Sequence, residues 1–163
     1  MSNKETHKQA FFFTLINYVG ILIGIISTLF IYPKNKEMLG IFRYVESLAQ
    51  LLFPIMLLGA SQTLIKFGPK LDSNQEKQLF SYSVLSIFSI GLILLSLIGL
   101  ASLLPALSGF KYIYLAFPIG LSLALIDLFK KQSTIIGKIA IPTFFDNIIP
   151  KLILPLVFIL VLN

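Results

Sequence analysis

The longest uncharged run of this chain covers residues 78–110, where 33 consecutive positions lack an acidic or basic side chain. A helix crosses about 30 Å of hydrocarbon with about 20 mostly apolar residues, because each residue adds about 1.5 Å. Three further uncharged runs, residues 9–33, 47–65 and 112–126, hold 25, 19 and 15 residues. Only helices or closed barrels satisfy the backbone in lipid, and runs of this length are typical of helices. The predicted fold class is therefore all-α, a polytopic transmembrane helix bundle.

The composition excludes the usual soluble classes of protein. Charged residues make up 12% of the chain, about half the roughly 25% of soluble domains, and the mean hydropathy is +0.91. The absence of cysteine excludes disulfide scaffolds and thiolate metal sites. The 13 Lys+Arg outnumber the 7 Asp+Glu, but they lie at the ends of the apolar runs, where they set topology. We expect the lipid bilayer as a partner, and no nucleic acid.

Four complete spans and the start of a fifth are predicted. They are placed at residues 11–32, 41–65, 79–104, 112–129 and 152–163. The last stretch is too short to cross a bilayer, so it is either re-entrant or a helix cut short, and its apolar composition favours truncation. Residues 1–163 are therefore interpreted as one transmembrane domain, an incomplete N-terminal bundle. Residues 130–150 are amphipathic and contain prolines, which predicts an interfacial segment on the cytoplasmic surface.

The distribution of basic residues predicts the orientation of the chain. With alternating spans, the side that holds the N-terminus and residues 66–77 and 130–151 carries nine basic residues, and the other side carries four. Basic residues accumulate on the cytoplasmic side of a membrane protein. We therefore expect a cytoplasmic N-terminus.

The first predicted span has a face of small and polar residues at helical spacing. This face includes Asn17, and Gly20 and Gly24 form a GxxxG pair that permits close approach of another helix. Two interpretations stay open. The face is a packing seam between helices, or Asn17 points into a polar cavity.

The second predicted span carries the most informative polar residues. Arg43, Glu46, Gln50 and Pro54 follow one another at spacings of three, four and four, which places them on one face. Arg43 and Glu46 are expected to pair across one turn. Polar residues inside a span usually face a bundle interior or a water-filled cavity, and they are functional candidates. The alternative is that Arg43 reaches the interface and Glu46 merely neutralises it.

An enzyme is not expected. Gly59-Ala60-Ser61-Gln62 resembles the Gly-Ala-Ser-Gly motif of rhomboid proteases, but the nucleophile of such an enzyme needs a base. The single histidine, His7, lies in the N-terminal tail outside every predicted span. One histidine cannot build a zinc site of two or three histidines, and no phosphate-binding loop is present, so no metal or cofactor is predicted.

Several short motifs resemble a known family. They are Asn17-Tyr18-Val19-Gly20, Leu39-Gly40, Leu58-Gly59-Ala60-Ser61, Phe67-Gly68-Pro69-Lys70, Pro142-Thr143-Phe144-Phe145 and Pro150-Lys151. In these motifs and their spacing the chain resembles the N-terminal region of bacterial polysaccharide biosynthesis membrane proteins. These are the oligosaccharide flippases of the multidrug/oligosaccharidyl-lipid/polysaccharide exporter superfamily.

The resemblance implies a function and a location. Such flippases move an oligosaccharide on a polyprenyl pyrophosphate carrier across the bacterial inner membrane, through a cavity between two helix bundles, so a C-terminal bundle is an expected partner. It implies that Asn17, Arg43, Glu46 and Gln50 line the cavity and bind the substrate. Two alternatives are a cation-coupled multidrug efflux transporter of the same superfamily and a non-transporting membrane subunit or scaffold.

Overall fold

The computed structural model describes residues 3–102, 112–138 and 140–162. These residues form α-helices joined by short turns, and no strand occurs among them. The helices are α1 (Asn3–Ile26), α2 (Lys36–Leu57), α3 (Ala60–Phe67), α4 (Ser73–Ala101), α5 (Ile113–Ile136), α6 (Ala140–Asn147) and α7 (Ile149–Leu162). The predicted all-α fold class is confirmed.

Five stretches of the described residues are long and apolar enough to cross a membrane. They are His7–Lys34, Lys36–Leu57, Ser73–Ala101, Ile113–Ile136 and Ala140–Val157. The first of them extends α1 through a π-helical segment, Ser27–Ile31, and a 3-10 turn that contains Pro33. The chain thus has the helices of a multi-pass membrane protein.

The second predicted span, residues 41–65, is two helices in the structure. Helix α2 begins at Lys36 because Asn35 caps it, its Oδ1 accepting a hydrogen bond of 2.9 Å from the N–H of Met38. It ends at Leu57, since Leu58 and Gly59 adopt positive φ angles of 36° and 80°. Apolar composition continues across this break, so hydropathy alone does not reveal it.

Replacing Gly59 with alanine is expected to lower the free energy of unfolding by about 1 kcal/mol. A Cβ at Gly59 would meet no atom within 4 Å, so no contact opposes it. The loss arises because a residue with a side chain is strained in the left-handed backbone conformation that Gly59 adopts. The matched control is Gly40→Ala inside α2, which also has open space around it but is helical. Thermal unfolding in detergent, followed by circular dichroism, measures both variants. A Gly59→Ala protein as stable as Gly40→Ala would contradict the prediction.

Two further helix ends differ from the predicted span ends for similar local reasons. Asp72 and Gln75 form a capping box, so α4 begins at Ser73 rather than at residue 79. Helix α5 passes the predicted end at residue 129 and stops at Gly137, whose φ is 77°. There the N–H of Lys138 donates to the carbonyl of Ser133 at 2.8 Å, which is typical of a Schellman motif. Residues 103, 104 and 111 lie outside the described ranges.

The fifth apolar stretch begins earlier than predicted. Helices α6 and α7 are separated only by Ile148. The N–H of Ile148 donates to the carbonyl of Phe144, and the N–H of Leu152 donates to the carbonyl of Ile148, so the helical hydrogen-bond pattern continues from α6 into α7. The prolines at 142 and 150 stand in the first turns of α6 and α7, where a missing N–H costs nothing. The stretch from Ala140 to Val157 therefore reaches 18 residues, whereas the predicted fifth span began at 152. Residues 139 and 163 lie outside the described ranges.

The contacts divide the chain into two compact units. The first holds the described residues of Met1–Ile41 and Ser133–Asn163, and the second those of Phe42–Gln132. In the second unit, α5 buries a face that has a residue every four positions: Ala116, Gly120, Ala124 and Leu128. Three of these residues, Ala116, Gly120 and Ala124, are small and let helix backbones approach closely.

Helix α5 contacts both long neighbours within the second unit. A Cβ at Gly120 would lie 3.1 Å from the carbonyl oxygen of Ala49, so the α2 backbone rests directly on this glycine. On the α4 side, the rings of Phe80 and Phe129 lie 5.4 Å apart, and Gln132 Nε2 donates to Glu76 Oε1 at 2.6 Å. This packing fixes which face of α2 is left uncovered.

Candidate functional site

The polar stripe of α2, which consists of Arg43, Glu46 and Gln50, contains an ion pair. Arg43 Nη1 lies 2.7 Å from Glu46 Oε2, so the predicted pairing across one turn is confirmed. The Glu46 side chain is 32% exposed and that of Arg43 58% exposed. Both groups are therefore accessible from one side of the unit.

The ion pair lies deep within its helix. Because α2 begins at Lys36, Glu46 is the eleventh of its 22 residues. At about 1.5 Å per residue, the Glu46 backbone is about 15 Å from either end of α2. That depth exceeds the one or two turns expected from a span beginning at residue 41. An acidic residue so far along a helix that is long and apolar enough to cross a membrane is a candidate for function.

The stripe faces away from the packed side of α2. The buried face of this helix consists of Val45, Ala49, Leu52 and Met56, which recur at spacings of four, three and four. Arg43 and Gln50 lie on the opposite face at 100° per residue, and both are exposed. Within its unit the stripe is thus uncovered, and a guanidinium, a carboxylate and an amide are presented together. This set of groups can bind an anionic, hydroxyl-rich ligand.

Asn17 does not belong to the same unit as the stripe. It lies on α1, where its Nδ2 donates to the carbonyl of Phe13 at 2.8 Å. Its Oδ1 accepts a hydrogen bond of 2.8 Å from Asn147 Nδ2 on α6. The four predicted site residues therefore do not form one cluster within either unit, and the role of Asn17 in a cavity stays a prediction.

Two residues that the sequence did not indicate as candidates, Asn147 and Lys151, lie beside Asn17 and the next turn of α1. Asn147 donates to Asn17, and Lys151 extends its ammonium to the next turn of α1, where a Cβ at Gly20 would lie 3.3 Å from Lys151 Nζ. We name the group Asn17, Asn147 and Lys151 the asparagine–lysine cluster. The signal was present as a spacing of four between Thr143, Asn147 and Lys151, but residues 130–150 were interpreted as an interfacial segment on the cytoplasmic surface.

The GxxxG pair of α1 is asymmetric in the structure. Gly20 is buried against Asn147 and Lys151, whereas a Cβ at Gly24 would meet nothing within 4 Å. The packing-seam interpretation is therefore confirmed at Gly20. Gly24 takes no part in a close contact among the described residues.

Comparisons with known proteins add no relative. No family model, curated protein or solved structure matches this chain. What the polar stripe and the asparagine–lysine cluster can bind therefore follows from their residues, distances and exposure alone.

Proposed function

We propose that this chain is part of a transporter that flips a lipid-linked oligosaccharide, carried on polyprenyl pyrophosphate, across the bacterial inner membrane. The chain would serve polysaccharide or lipopolysaccharide biosynthesis, with its N-terminus in the cytoplasm. The resemblance of its short motifs to those of oligosaccharide flippases supports this proposal. The observation that carries it is the ion-paired polar stripe at mid-length of an apolar helix, turned away from the packed face of its unit.

Each residue of the polar stripe has a distinct role in this proposal. Arg43 attracts the pyrophosphate or acidic sugars, because a guanidinium offers several donors to a phosphate oxygen. Gln50 donates to and accepts from sugar hydroxyls. Glu46 positions Arg43 and would exchange a proton or a cation if transport is ion-coupled.

Substituting Arg43 or Glu46 by alanine is expected to reduce surface polysaccharide by about tenfold or more. A charge-assisted hydrogen bond is worth about 1.5–3 kcal/mol, and about 1.4 kcal/mol corresponds to a factor of ten. The wild-type gene and each variant are expressed in a strain from which this gene has been deleted. Surface polysaccharide is then quantified per cell. Lys36→Ala is the matched control, since it removes a basic residue from the exposed first turn of the same helix.

The double variant Arg43→Ala/Glu46→Ala separates the two interpretations of the ion pair. If Glu46 only neutralises Arg43, removing both charges restores the polysaccharide that either single change abolishes. If both groups serve transport, the double variant stays defective. Normal polysaccharide in the single variants, or its recovery in the double variant, would overturn the proposal.

The efflux alternative depends on Glu46 as an acidic group within the apolar length of α2. A cationic-drug exporter is expected to lose drug resistance in Glu46→Gln while surface polysaccharide stays unchanged. Resistance to a cationic dye, measured in the same strains, distinguishes the two transporters. If the chain is a non-transporting scaffold, Glu46→Gln should change neither the surface polysaccharide nor the resistance to the dye.

A further inference from the structure

The asparagine–lysine cluster lies far from both ends of the first apolar stretch. Gly20, which the Lys151 ammonium approaches, is the fourteenth of the 28 residues from His7 to Lys34. At about 1.5 Å per residue it is about 20 Å from either end. This distance is much longer than the four-carbon stem with which a lysine reaches an interface. The ammonium is therefore held within the apolar length of α1 and not at its end.

The position of Lys151 bears on the distribution of basic residues between the two sides of the membrane. Lys151 was among the nine basic residues assigned to the cytoplasmic side. Without it the distribution is eight against four, so the predicted orientation does not change. The positive-inside rule therefore does not account for the position of Lys151.

The charge of Lys151 has no counter-ion in the part of the chain that the structure describes. The ion pair of Arg43 with Glu46 and that of Lys131 with Asp127 do not involve Lys151. A lysine at the centre of a membrane helix costs about 2.5–3.5 kcal/mol on insertion scales. An anion beside the ammonium would offset much of that cost.

The neighbouring amides suit an oxyanion. Each asparagine NH₂ has two N–H groups, and the bonds from Asn17 to Phe13 and from Asn147 to Asn17 use one on each. These bonds fix both amides, and each retains a second donor. Asn17, Asn147 and Lys151 are all half-buried, so the cluster is reachable from one flank. A positive charge beside fixed N–H donors favours phosphate over any cation.

We propose that Lys151, with Asn147 and Asn17, forms a binding site for the phosphate group of a membrane lipid within the apolar length of the first unit. The phosphate oxygens accept from the ammonium and from the free amide N–H groups. The site goes beyond the proposed transport function and does not rest on it, because the phosphate of a phospholipid and that of a polyprenyl carrier have the same chemistry.

The test titrates the purified chain in neutral detergent with lipid and measures retention by native mass spectrometry. One arm uses phosphatidylglycerol and the other polyprenyl pyrophosphate. Diacylglycerol and polyprenol, which have the same chains without phosphate, serve as ligand controls. Binding in either arm supports the site and identifies the source of the phosphate.

Lys151→Met is expected to weaken lipid binding about tenfold or more, because it removes a charge-assisted hydrogen bond at nearly constant side-chain length. Lys151→Arg should retain binding. Lys138→Met, which removes an exposed lysine of the same unit, is the matched control and should leave binding unchanged. Asn147→Asp should also weaken binding, because it supplies a carboxylate that takes the place of the phosphate. Circular dichroism checks that each variant is helical, and Lys151→Gln replaces Lys151→Met if the latter unfolds.

Four outcomes would overturn this inference. They are no binding to the wild-type chain in either arm, equal binding of the lipids without phosphate, unchanged binding in Lys151→Met, and an equal loss in Lys138→Met. None of them bears on the polysaccharide assay of the Arg43 and Glu46 variants. Failure of this site and failure of the transport proposal are thus distinguishable.

Discussion

Replacing Gly120 with leucine is expected to disrupt the second unit, with a loss of about 3 kcal/mol or more in the free energy of unfolding. A Cβ there would lie 3.1 Å from the carbonyl oxygen of Ala49 and 3.3 Å from the Cβ of Leu52. Neither of these atoms can rotate away, so α2 and α5 must separate. Overpacking of this kind costs about 1–3 kcal/mol, and a leucine adds three more carbon atoms beyond the Cβ. Unfolding in detergent, followed by circular dichroism, measures the loss.

The alanine variants of Gly120 and Gly99 isolate the contact itself. Alanine is favoured over glycine inside a helix by about 0.5–1 kcal/mol, and a Cβ at Gly99 would meet nothing within 4 Å. Gly99→Ala should therefore be neutral or stabilising, whereas Gly120→Ala should be destabilising. Equal stability of the two variants would contradict the close approach of α2 to α5.

Replacing Gly20 with leucine is expected to separate α1 from α6 and to cost about 2 kcal/mol. A side chain at this position would displace the Lys151 ammonium and press on Asn147, whose carbonyl oxygen would lie 3.4 Å from the new Cβ. Because the chain has no cysteine, spin labels can be introduced at Tyr18 and Phe145, both of them exposed residues of the first unit. The label-to-label distance should increase and its distribution broaden.

Gly24→Leu is the matched control for Gly20→Leu. It introduces the same side chain one turn further along α1, where a Cβ would have open space. The label distance should then equal that of the unsubstituted chain. A shift in the Gly24 variant as large as that in the Gly20 variant would show that leucine acts through the helix itself and not through the contact.

The sequence predicts the helical class well because the length of an apolar run can be compared directly with the length of helix that crosses a bilayer. It predicts helix ends less well, since Asn35, the Asp72 capping box and Gly137 act locally and leave little mark on hydropathy. The fourth predicted span ended at residue 129, beside the charged residues Asp127, Lys130 and Lys131. In the structure α5 passes through them, because charge does not stop a helix and a left-handed glycine does.

The candidate sites were predictable only where both partners are close in sequence. Arg43 and Glu46 are three residues apart, so helical geometry alone predicts their pairing. Asn17 and Asn147 are separated by 130 positions. Periodicity shows that each lies on a polar face, but it does not show which faces meet. The partner of Asn17 therefore required the structure.

The same separation has a consequence for the order of events during synthesis. A ribosome adds about 5–20 residues per second, so Asn17 is made roughly 7 to 26 seconds before Asn147, which lies 130 residues later. The second unit, Phe42–Gln132, is synthesised entirely within that interval. Until α6 arrives, the hydrogen bond from Asn17 to the carbonyl of Phe13 within α1 keeps part of its amide satisfied. The first helix thus supplies one partner of the Asn17 amide before α6 is synthesised, and this bond persists beside the later one from Asn147.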